Sequence, residues 1–171
     1  MLHIYYGNGK GKTTAAVGLA VRAAGRNLNV LFAQFLKTED SGERFALKKL
    51  DNINLVPCPD KLKFVAQMTE EEKLECRKYS RNIFDQSIRN ALMGSYNMII
   101  FDEIFTAIEH NMLSEGELFD FLANAPQNLE VILTGHNPSE RVLALADYAT
   151  EMVKRAHPYE KGVSARKGIE Y

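Results

Sequence analysis

Residues 7 to 14 have the types and spacing of a loop that binds phosphate, and they read Gly-Asn-Gly-Lys-Gly-Lys-Thr-Thr. Glycines allow the backbone to curl so that successive N–H groups point at one anion. Lys12 would add a full positive charge beside phosphoryl oxygens, and the Thr13 hydroxyl would be a ligand for Mg²⁺. These residues therefore indicate binding of a phosphorylated ligand together with its metal ion.

The glycine spacing departs from the common pattern G-x-x-x-x-G-K-[ST], whose first glycine would fall at position 6, where this chain has Tyr6. The loop instead has glycines at positions 7, 9 and 11 and a second lysine, Lys10. One interpretation is an ordinary phosphate-binding loop with a changed first position. The alternating glycines and the extra lysine favour the other interpretation, a loop reshaped to hold the phosphate chain differently.

A second candidate element is the apolar strand from Met98 to Phe101, which ends at Asp102 and Glu103. An apolar strand that ends in acids is typical of a Walker B segment, which places a carboxylate beside the Mg²⁺ of the phosphate loop. The other interpretation is a buried strand that meets a solvated acidic turn. The nearby phosphate loop favours Walker B, because nucleotide sites form at the carboxyl ends of parallel strands.

Other polar segments are predicted to lie at the same edge of the sheet. Gln34 to Lys37 and Ser41 to Glu43 would contact the nucleotide or a second substrate, and the alternative is a polar surface loop. His136 follows another strand at this edge, where a lone histidine is more often structural. The four histidines lack metal spacing, and no Ser/His/Asp arrangement is evident. This pattern fits reactions in which the substrate brings its own nucleophile.

Composition indicates an ordinary globular chain. Its 171 residues are 46% hydrophobic and 25% charged with a formal net charge of -1, so there is no basic excess for bulk binding to nucleic acid. The apolar runs are far too short to span a bilayer, and no signal peptide is evident before the first strand. Cys58 and Cys76 lack metal spacing and are expected to be reduced thiols. We therefore expect a soluble cytoplasmic protein.

Strand-like and helix-like segments alternate along the chain, and the strands are continuous apolar runs. Such alternation predicts a mostly parallel sheet with helices on both faces. We predict one α/β domain over residues 1–171 with a P-loop NTPase-like (RecA-like) fold. The predicted strands cover 2–6, Val30 to Leu36, Ile53 to Val56, Met98 to Phe101, Val131 to Leu133 and Thr150 to Lys154. Five helices are predicted. The first runs from Thr13 to a cap at Gly25, the second passes through Phe45, Leu47 and Leu50, and the third runs from a capping box at Thr69 to Glu72 up to Gly94. The fourth begins at Ser114 and the fifth at Asn137-Pro138.

The chain resembles the ATP:cob(I)alamin adenosyltransferases of the CobA (BtuR) type over nearly its whole length. The phosphate loop of this family is specific, and the pattern that runs from the HP[FY] segment to GIE is more so. The matching segments are GNGKGKTTAA at 7–16, QFLK at 34–37, SGE at 41–43, FDEI at 101–104, LTG at 133–135, LAD at 145–147, TEM at 150–152, HPY at 157–159 and KGIE at 167–170.

The resemblance implies a definite reaction. The Co(I) of cob(I)alamin, or of an earlier corrinoid, attacks the 5′ carbon of ATP and displaces triphosphate. Because Co(I) is itself the nucleophile, no protein base is required. In this family ATP lies in reverse along the loop, with the triphosphate held as the leaving group.

Site residues follow from the same resemblance. Lys10 and Lys12 would neutralise charge on the departing triphosphate. Thr13, Glu103 and the neighbouring Asp102 would hold Mg²⁺, and Lys10, Lys12 and Glu103 are the implied catalytic residues. The residues implied to bind the nucleotide are Gly7, Asn8, Gly9, Lys10, Gly11, Lys12, Thr13 and Thr14.

Two features depart from the family pattern. Members commonly carry an N-terminal arm that covers the nucleotide and the corrin, whereas here the first strand begins at Leu2, so we expect the cover to be absent or to come from elsewhere. Members usually have a Phe-x-Trp pair in the corrin-facing segment after the third strand, and this chain has no tryptophan. The corresponding region is Pro59 to Met68, in which Phe64 would match the phenylalanine.

Two alternatives to the transferase remain open from the residues. One is a P-loop kinase that transfers the γ-phosphoryl group to a small acceptor, and the other is a binding module for ATP and corrinoid without turnover. Intact triphosphate as a product would distinguish the transferase from both. The resemblance also implies a flavoprotein reductase as a partner and, in many members, a homodimer. We expect neither a nucleic acid nor a membrane partner.

Overall fold

Six parallel strands form the centre of the molecule in the computed structural model, which describes residues 1–171. The strands are β1 (Leu2–Tyr6), β2 (Val30–Gln34), β3 (Ile53–Leu55), β4 (Met98–Asp102), β5 (Glu130–Gly135) and β6 (Tyr148–Glu151). The helices are α1 (Lys12–Ala24), α2 (Gly42–Leu47), α3 (Glu70–Leu92), α4 (Ile104–Glu109), α5 (Glu115–Asn124) and α6 (Glu140–Leu143), and 3₁₀ turns cover Val65–Gln67 and Pro158–Lys161. The order across the sheet is β3-β2-β4-β5-β1-β6.

Both faces of the sheet are buried, which explains the continuous apolar strands. Successive side chains of a strand point to opposite faces, so Leu31 and Ala33 of β2 join one core while Val30 and Phe32 join the other. The larger core also contains residues of α3, α4 and α5, and the smaller core contains alanines of α1. The predicted α/β class with a parallel sheet between helices is confirmed.

Strand β5 lies between β1, which leads into the glycine loop, and β4, which ends at Asp102. β5 pairs with β1 on one side and with β4 on the other, and all of these pairings are parallel. The carboxyl ends of β1, β4 and β5 therefore open onto the same edge, together with that of β2. This arrangement is a P-loop NTPase-like fold, as predicted.

Several predicted boundaries were wrong. The strand predicted over Thr150 to Lys154 is Tyr148–Glu151, because β1 ends at Tyr6, which pairs with Glu151. The strand predicted to reach Leu36 ends at Gln34, because Leu36 takes a left-handed φ of 54°.

Two short helices also have bounds that differ from the prediction. The helix predicted from Asn137-Pro138 begins at Glu140, because the Ser139 hydroxyl accepts a hydrogen bond from the Val142 N–H at 3.3 Å and caps it there. The helix predicted through Leu50 is already complete at Leu47. Helix α4 directly follows Glu103 and was not predicted.

The longest helix has the predicted caps. The Thr69 hydroxyl accepts from the Glu72 N–H at 3.2 Å, and the Glu72 carboxylate accepts from the Thr69 N–H at 2.9 Å, which completes the capping box. Gly94 ends this segment in the left-handed region with φ 73°. Gly25 does cap α1, but it is right-handed, and the left-handed residue is Asn27.

Cys58 and Cys76 are both buried and free, in line with the predicted thiols. None of the helices combines the length and the apolar character that crossing a membrane requires.

Candidate active site

The phosphate-loop sequence forms a tight turn between β1 and α1. Gly7 and Gly11 have φ values of 104° and 116°, and Gly11 is the residue immediately before the helix. These values lie in a region that side chains other than hydrogen strongly disfavour. Because the helix begins at Lys12, its free N–H groups lie at the loop, where an anion is stabilised.

The end of β6 packs against the back of this loop. The Met152 N–H donates to the Tyr6 carbonyl at 2.7 Å, and the Gly9 N–H donates to the Met152 carbonyl at 2.6 Å. The Asn8 side chain accepts from the Lys154 N–H at 2.9 Å. A Cβ atom on either Gly7 or Gly9 would lie 2.6 Å from the Met152 oxygen, so this contact itself requires glycine at both positions.

Lys12 is buried, with 7% of its surface exposed. Its Nζ donates to the Gly9 carbonyl at 2.8 Å, which holds the ammonium against the loop backbone. Burial lowers the pKa of Lys12, and the negative charges of Glu103 and Asp102 act in the opposite direction. A bound anion would compensate this desolvated positive charge.

Asp102 is fully buried at the end of β4. Its Oδ1 accepts from the Thr13 hydroxyl at 2.9 Å and from the Thr134 hydroxyl at 2.7 Å, and its Oδ2 accepts from Gln34 Nε2 at 3.1 Å. Burial raises the pKa of Asp102, while the charge of Lys37 lowers it. Three elements, α1, β5 and β2, therefore converge on one carboxylate.

Glu103 adopts a left-handed conformation with φ 61°, which is uncommon for a residue with a side chain. Its N–H donates to the Thr134 hydroxyl at 2.9 Å, and its carboxylate accepts from the Thr106 hydroxyl. The side chain is thus turned toward α4 and also borders the cavity in front of the loop. Backbone strain of this kind is often found where a side chain serves a functional site.

The oxygen donors at this edge fit Mg²⁺ as nucleotide sites bind it. The Thr13 hydroxyl and the Asp102 carboxylate are in contact, and both are hard oxygen ligands. No cluster of three His, Cys, Asp or Glu side chains forms a metal cage. Mg²⁺ is usually held by one or two carboxylates together with phosphate oxygens and water. The Thr13 hydroxyl and the Asp102 carboxylate are suited to such a site.

A cavity of about 920 Å³ lies in front of the loop, within the range of ligand pockets. It brings the predicted loop residues Asn8 to Thr14 and Glu103 together with the last part of the chain, which sequence reasoning did not assign to the site, whereas Gly7 and Asp102 are not part of its lining. Its lining comprises Asn8, Gly9, Lys10, Gly11, Lys12, Thr13, Thr14, Val17, Lys37, Gly42, Glu43, Glu103, His136, Lys154, His157, Tyr159, Glu160, Gly168, Ile169, Glu170 and Tyr171.

Lys10 connects the loop to the residues near the end of the chain. Its Nζ donates to the backbone carbonyl of Ile169 at 3.0 Å. Its charge also helps to lower the pKa of Glu170, after the larger contribution of hydrogen bonds from Arg166. The Gly168-Ile169-Glu170 segment that matches the family pattern therefore lies against the phosphate loop.

Phe64 lies apart from this cavity and has 82% of its surface exposed. It immediately precedes the 3₁₀ turn Val65–Gln67. A second cavity, of about 520 Å³, occupies the same region between Pro59 and the start of α3. The structure therefore does not bring Phe64 together with the loop residues.

Two residues with central positions were not recognised as site residues from the sequence. Arg44 has 1% of its surface exposed and contacts Gln34, and Glu39 pairs with Arg44 at 2.7 Å. Both occur in or beside the polar segments predicted to contact a substrate or to form a surface loop. Both are charged residues in a stretch that the sequence suggests is exposed, and nothing in the sequence indicated that Arg44 is buried.

The fold, with its glycine loop between β1 and α1 and its acid at the end of β4, defines a protein of the P-loop NTPase-like class. The family model described as ATP:corrinoid adenosyltransferase BtuR/CobO/CobP matches residues 1–171. The chain therefore belongs to the ATP:corrinoid adenosyltransferase family, and the resemblance drawn from the motifs is confirmed.

Individual relatives agree with this assignment. The corrinoid adenosyltransferase of Escherichia coli is 31% identical over 169 residues, which cover 98% of this chain and 84% of that protein. The corrinoid adenosyltransferase CobA of Salmonella typhimurium has the same identity and coverage. The corrinoid adenosyltransferase of Pseudomonas aeruginosa is 25% identical over 178 residues, which cover 100% of this chain and 83% of that protein. The predicted enzyme class is thereby confirmed.

Proposed function

We propose that this protein transfers the 5′-deoxyadenosyl group of ATP to the Co(I) of a reduced corrinoid and releases triphosphate, in the synthesis or salvage of adenosylcobalamin. The electron pair of Co(I) forms the new bond to the 5′ carbon. The bond between that carbon and the triphosphate oxygen breaks, and its electron pair leaves with triphosphate. The cobalt ends formally as Co(III), so atoms and electrons balance without a further reactant.

The convergence of two lysines on one cavity carries this proposal. Lys10 and Lys12 both border the cavity in front of the glycine loop, together with Thr13 and Glu103. Negative charge develops on triphosphate as the bond to carbon breaks. Charges already held in place stabilise such a leaving group without further reorganisation. We therefore assign Lys10 and Lys12 to the departing triphosphate.

We further propose that the reaction requires Mg²⁺, held through Thr13 and Asp102 and by Glu103, which borders the cavity. Bound Mg²⁺ would neutralise charge on the triphosphate. The chain's own part is to orient these oxygens, and the hydrogen bonds of Asp102 to Thr13 and Thr134 support that role. Phe64, exposed beside the second cavity, is proposed to face the corrin.

Three further proposals come from the family. A flavoprotein reductase would supply Co(I), since the reaction consumes the corrinoid in its reduced form. The protein would act in the cytoplasm, and it would associate as a homodimer. Size-exclusion chromatography with light scattering tests the last of these, and a monomer at micromolar concentration would contradict it.

The deciding experiment is anaerobic. The full chain is mixed with Mg·ATP and chemically reduced cob(I)alamin, the corrinoid spectrum is followed, and the phosphate product is identified by chromatography. We expect light-sensitive adenosylcobalamin and triphosphate in equal amounts. ADP with inorganic phosphate or with a phosphorylated corrinoid would instead identify phosphoryl transfer, and binding of both ligands without product would identify a binding module.

A further inference from the structure

A buried guanidinium joins the loop after β2 to the centre of the site. Arg44 of α2 has 1% of its surface exposed, and every hydrogen-bonding group that it carries is a donor. Its Nη1 donates to Gln34 Oε1 at 3.1 Å, and its Nη2 donates to Glu39 Oε1 at 2.7 Å and to the Val56 carbonyl at 2.9 Å. A planar guanidinium holds its donors in fixed directions toward these acceptors, whereas an ammonium is a compact charge whose three donors rotate on one flexible stem.

The first consequence concerns the amide of Gln34, which is itself fully buried. Arg44 only donates, so Gln34 must present its oxygen to Arg44 and its Nε2 to the other side. That Nε2 donates to Asp102 Oδ2 at 3.1 Å and to Glu43 Oε1 at 2.8 Å. Two carboxylates and one guanidinium thus leave the amide a single satisfied orientation.

The second consequence concerns the segment after β3. Glu39 Oε1, which accepts from Arg44, also accepts from the Cys58 N–H at 2.7 Å. The Glu39 N–H donates to the Pro59 carbonyl at 3.2 Å. Pro59 begins the segment that carries Phe64, so Arg44 is linked through one carboxylate to the start of that segment.

We propose that Arg44 is a positioning residue that serves both substrate sites of the proposed reaction, on which this inference rests. Through Gln34 it holds Asp102 in the orientation in which Asp102 accepts from Thr13. Through Glu39 it holds the segment that leads to Phe64. Without the guanidinium, the buried Gln34 Oε1 loses the donor that holds it, and the amide is no longer fixed at the place from which its Nε2 reaches Asp102.

The test compares nucleotide binding with and without metal in the full chain. Dissociation constants for ATP are measured by titration calorimetry in excess Mg²⁺ and in excess EDTA, for wild type and for Arg44→Lys, which keeps the charge and loses the planar fork. We expect Arg44→Lys to weaken binding of Mg·ATP about tenfold, as loss of a group behind a metal ligand commonly does. Binding of metal-free ATP should change less than about twofold, and the KM for reduced cob(I)alamin should rise.

Two further variants make the result specific. Gln34→Glu places a carboxylate against Asp102, and we expect it to reproduce the loss of Mg·ATP affinity while the KM for cob(I)alamin stays at the wild-type value. Lys48→Met removes the other cation that contacts Glu39, at 2.8 Å, but leaves Arg44 and Gln34 in place. We expect its ratio of metal-free to Mg·ATP dissociation constants to match wild type.

A purely structural role for Arg44 predicts a different pattern. Arg44→Lys would then lower the melting temperature while the ratio of the two ATP dissociation constants stayed at the wild-type value, and this outcome would overturn the proposal. Failure of the proposed function is a separate result, because wild type would then bind Mg·ATP and form no adenosylcobalamin.

Discussion

The backbone carbonyl oxygen of Met152 lies 2.6 Å from the point that a Cβ atom on Gly9 would occupy. The same oxygen accepts a hydrogen bond from the Gly9 N–H, so the loop and the end of β6 touch along their backbones. Gly7 meets the same oxygen at the same distance. The alternating glycines of the loop are therefore explained in part by a strand end behind them, and not by the phosphate chain alone.

This contact predicts that Gly9→Ala is destabilising. The atoms in the way belong to the backbone of Met152 and Val153, which cannot swing aside as a side chain would. We expect a loss of about 1–3 kcal/mol in the free energy of unfolding, as for other overpacked sites. Urea denaturation measures this change in the free energy of unfolding.

The matched control is Gly18→Ala, since Gly18 lies on α1 with open space around it. Alanine there should stabilise the helix by up to about 1 kcal/mol. Equal stability of the two variants would contradict the contact.

Lys12 and Lys10 should differ in their contribution to catalysis. Lys12 is buried against the loop, whereas the Lys10 side chain is exposed and makes its hydrogen bond to Ile169. Because water screens an exposed charge more strongly, we expect Lys12→Met to lower kcat about 100-fold or more and Lys10→Met to lower it less. Initial rates of adenosylcobalamin formation at saturating Mg·ATP measure both. Lys78→Met, on the exposed side of α3, is the control, and an effect of that variant as large as that of Lys12→Met would contradict the assignment.

Phe64→Ala should change the KM for cob(I)alamin and leave the free energy of unfolding nearly unchanged. The ring is 82% exposed, so its removal should change the free energy of unfolding by less than about 0.5 kcal/mol. If Phe64 faces the corrin, the KM for cob(I)alamin should rise several-fold while the KM for ATP stays constant. Met93→Ala is the control, because Met93 is likewise exposed, at 75%, beyond the end of α3. Equal corrinoid KM values in Phe64→Ala and wild type would exclude this role.

Acid should weaken the fold through Glu39. Burial favours the protonated form of this carboxyl, but hydrogen bonds from Lys48 and from the Cys58 N–H outweigh it. Together with Arg44 they lower the pKa of Glu39 from its ordinary value of 4.5 to about 2. Because the folded state favours the ionised form, this contribution to stability is fully present above about pH 4.5 and is lost as the pH falls toward 2.

The measurement for Glu39 is the free energy of unfolding between pH 7 and the acid range. We expect Glu39→Gln to be less stable than wild type at neutral pH, and the difference should shrink as the pH falls through that window. Asp51→Asn removes an exposed carboxylate and should follow the wild-type curve. A constant difference between Glu39→Gln and wild type at every pH would contradict the prediction.

The loop and the acid of β4 were predictable because their signals are local. Glycines beside Lys12, and an apolar run that ends at Asp102, need no knowledge of distant residues. The capping box of Thr69 and Glu72 is local in the same sense. The start of α6 was wrong although its signal is also local, because Pro138 and Ser139 both suit a helix start and the hydrogen bond to Ser139 decides between them.

The role of Arg44 was not predictable because it depends on tertiary contacts. In the sequence it is one charged residue in a polar stretch, and its burial follows from acceptors on Gln34, Glu39 and Val56 that only the fold brings together. The order of the strands is of the same kind, since nothing in the residues of β5 says that it lies between β1 and β4. The place of residues 168–171 in the cavity wall is likewise tertiary, since the family pattern marks this segment but does not say where it lies.

The phosphate loop is made early along the chain and gains its backbone partner late. Tyr6 and Gly9 find their partners on Met152, and β1 lies between β5 and β6. A ribosome adds about 5–20 residues per second, so the nascent loop waits on the order of ten seconds before the strand that closes it has been translated. Until β5 has been translated β1 has no neighbour on either side, and until β6 follows one of its edges stays unpaired and available to a chaperone or to another nascent chain.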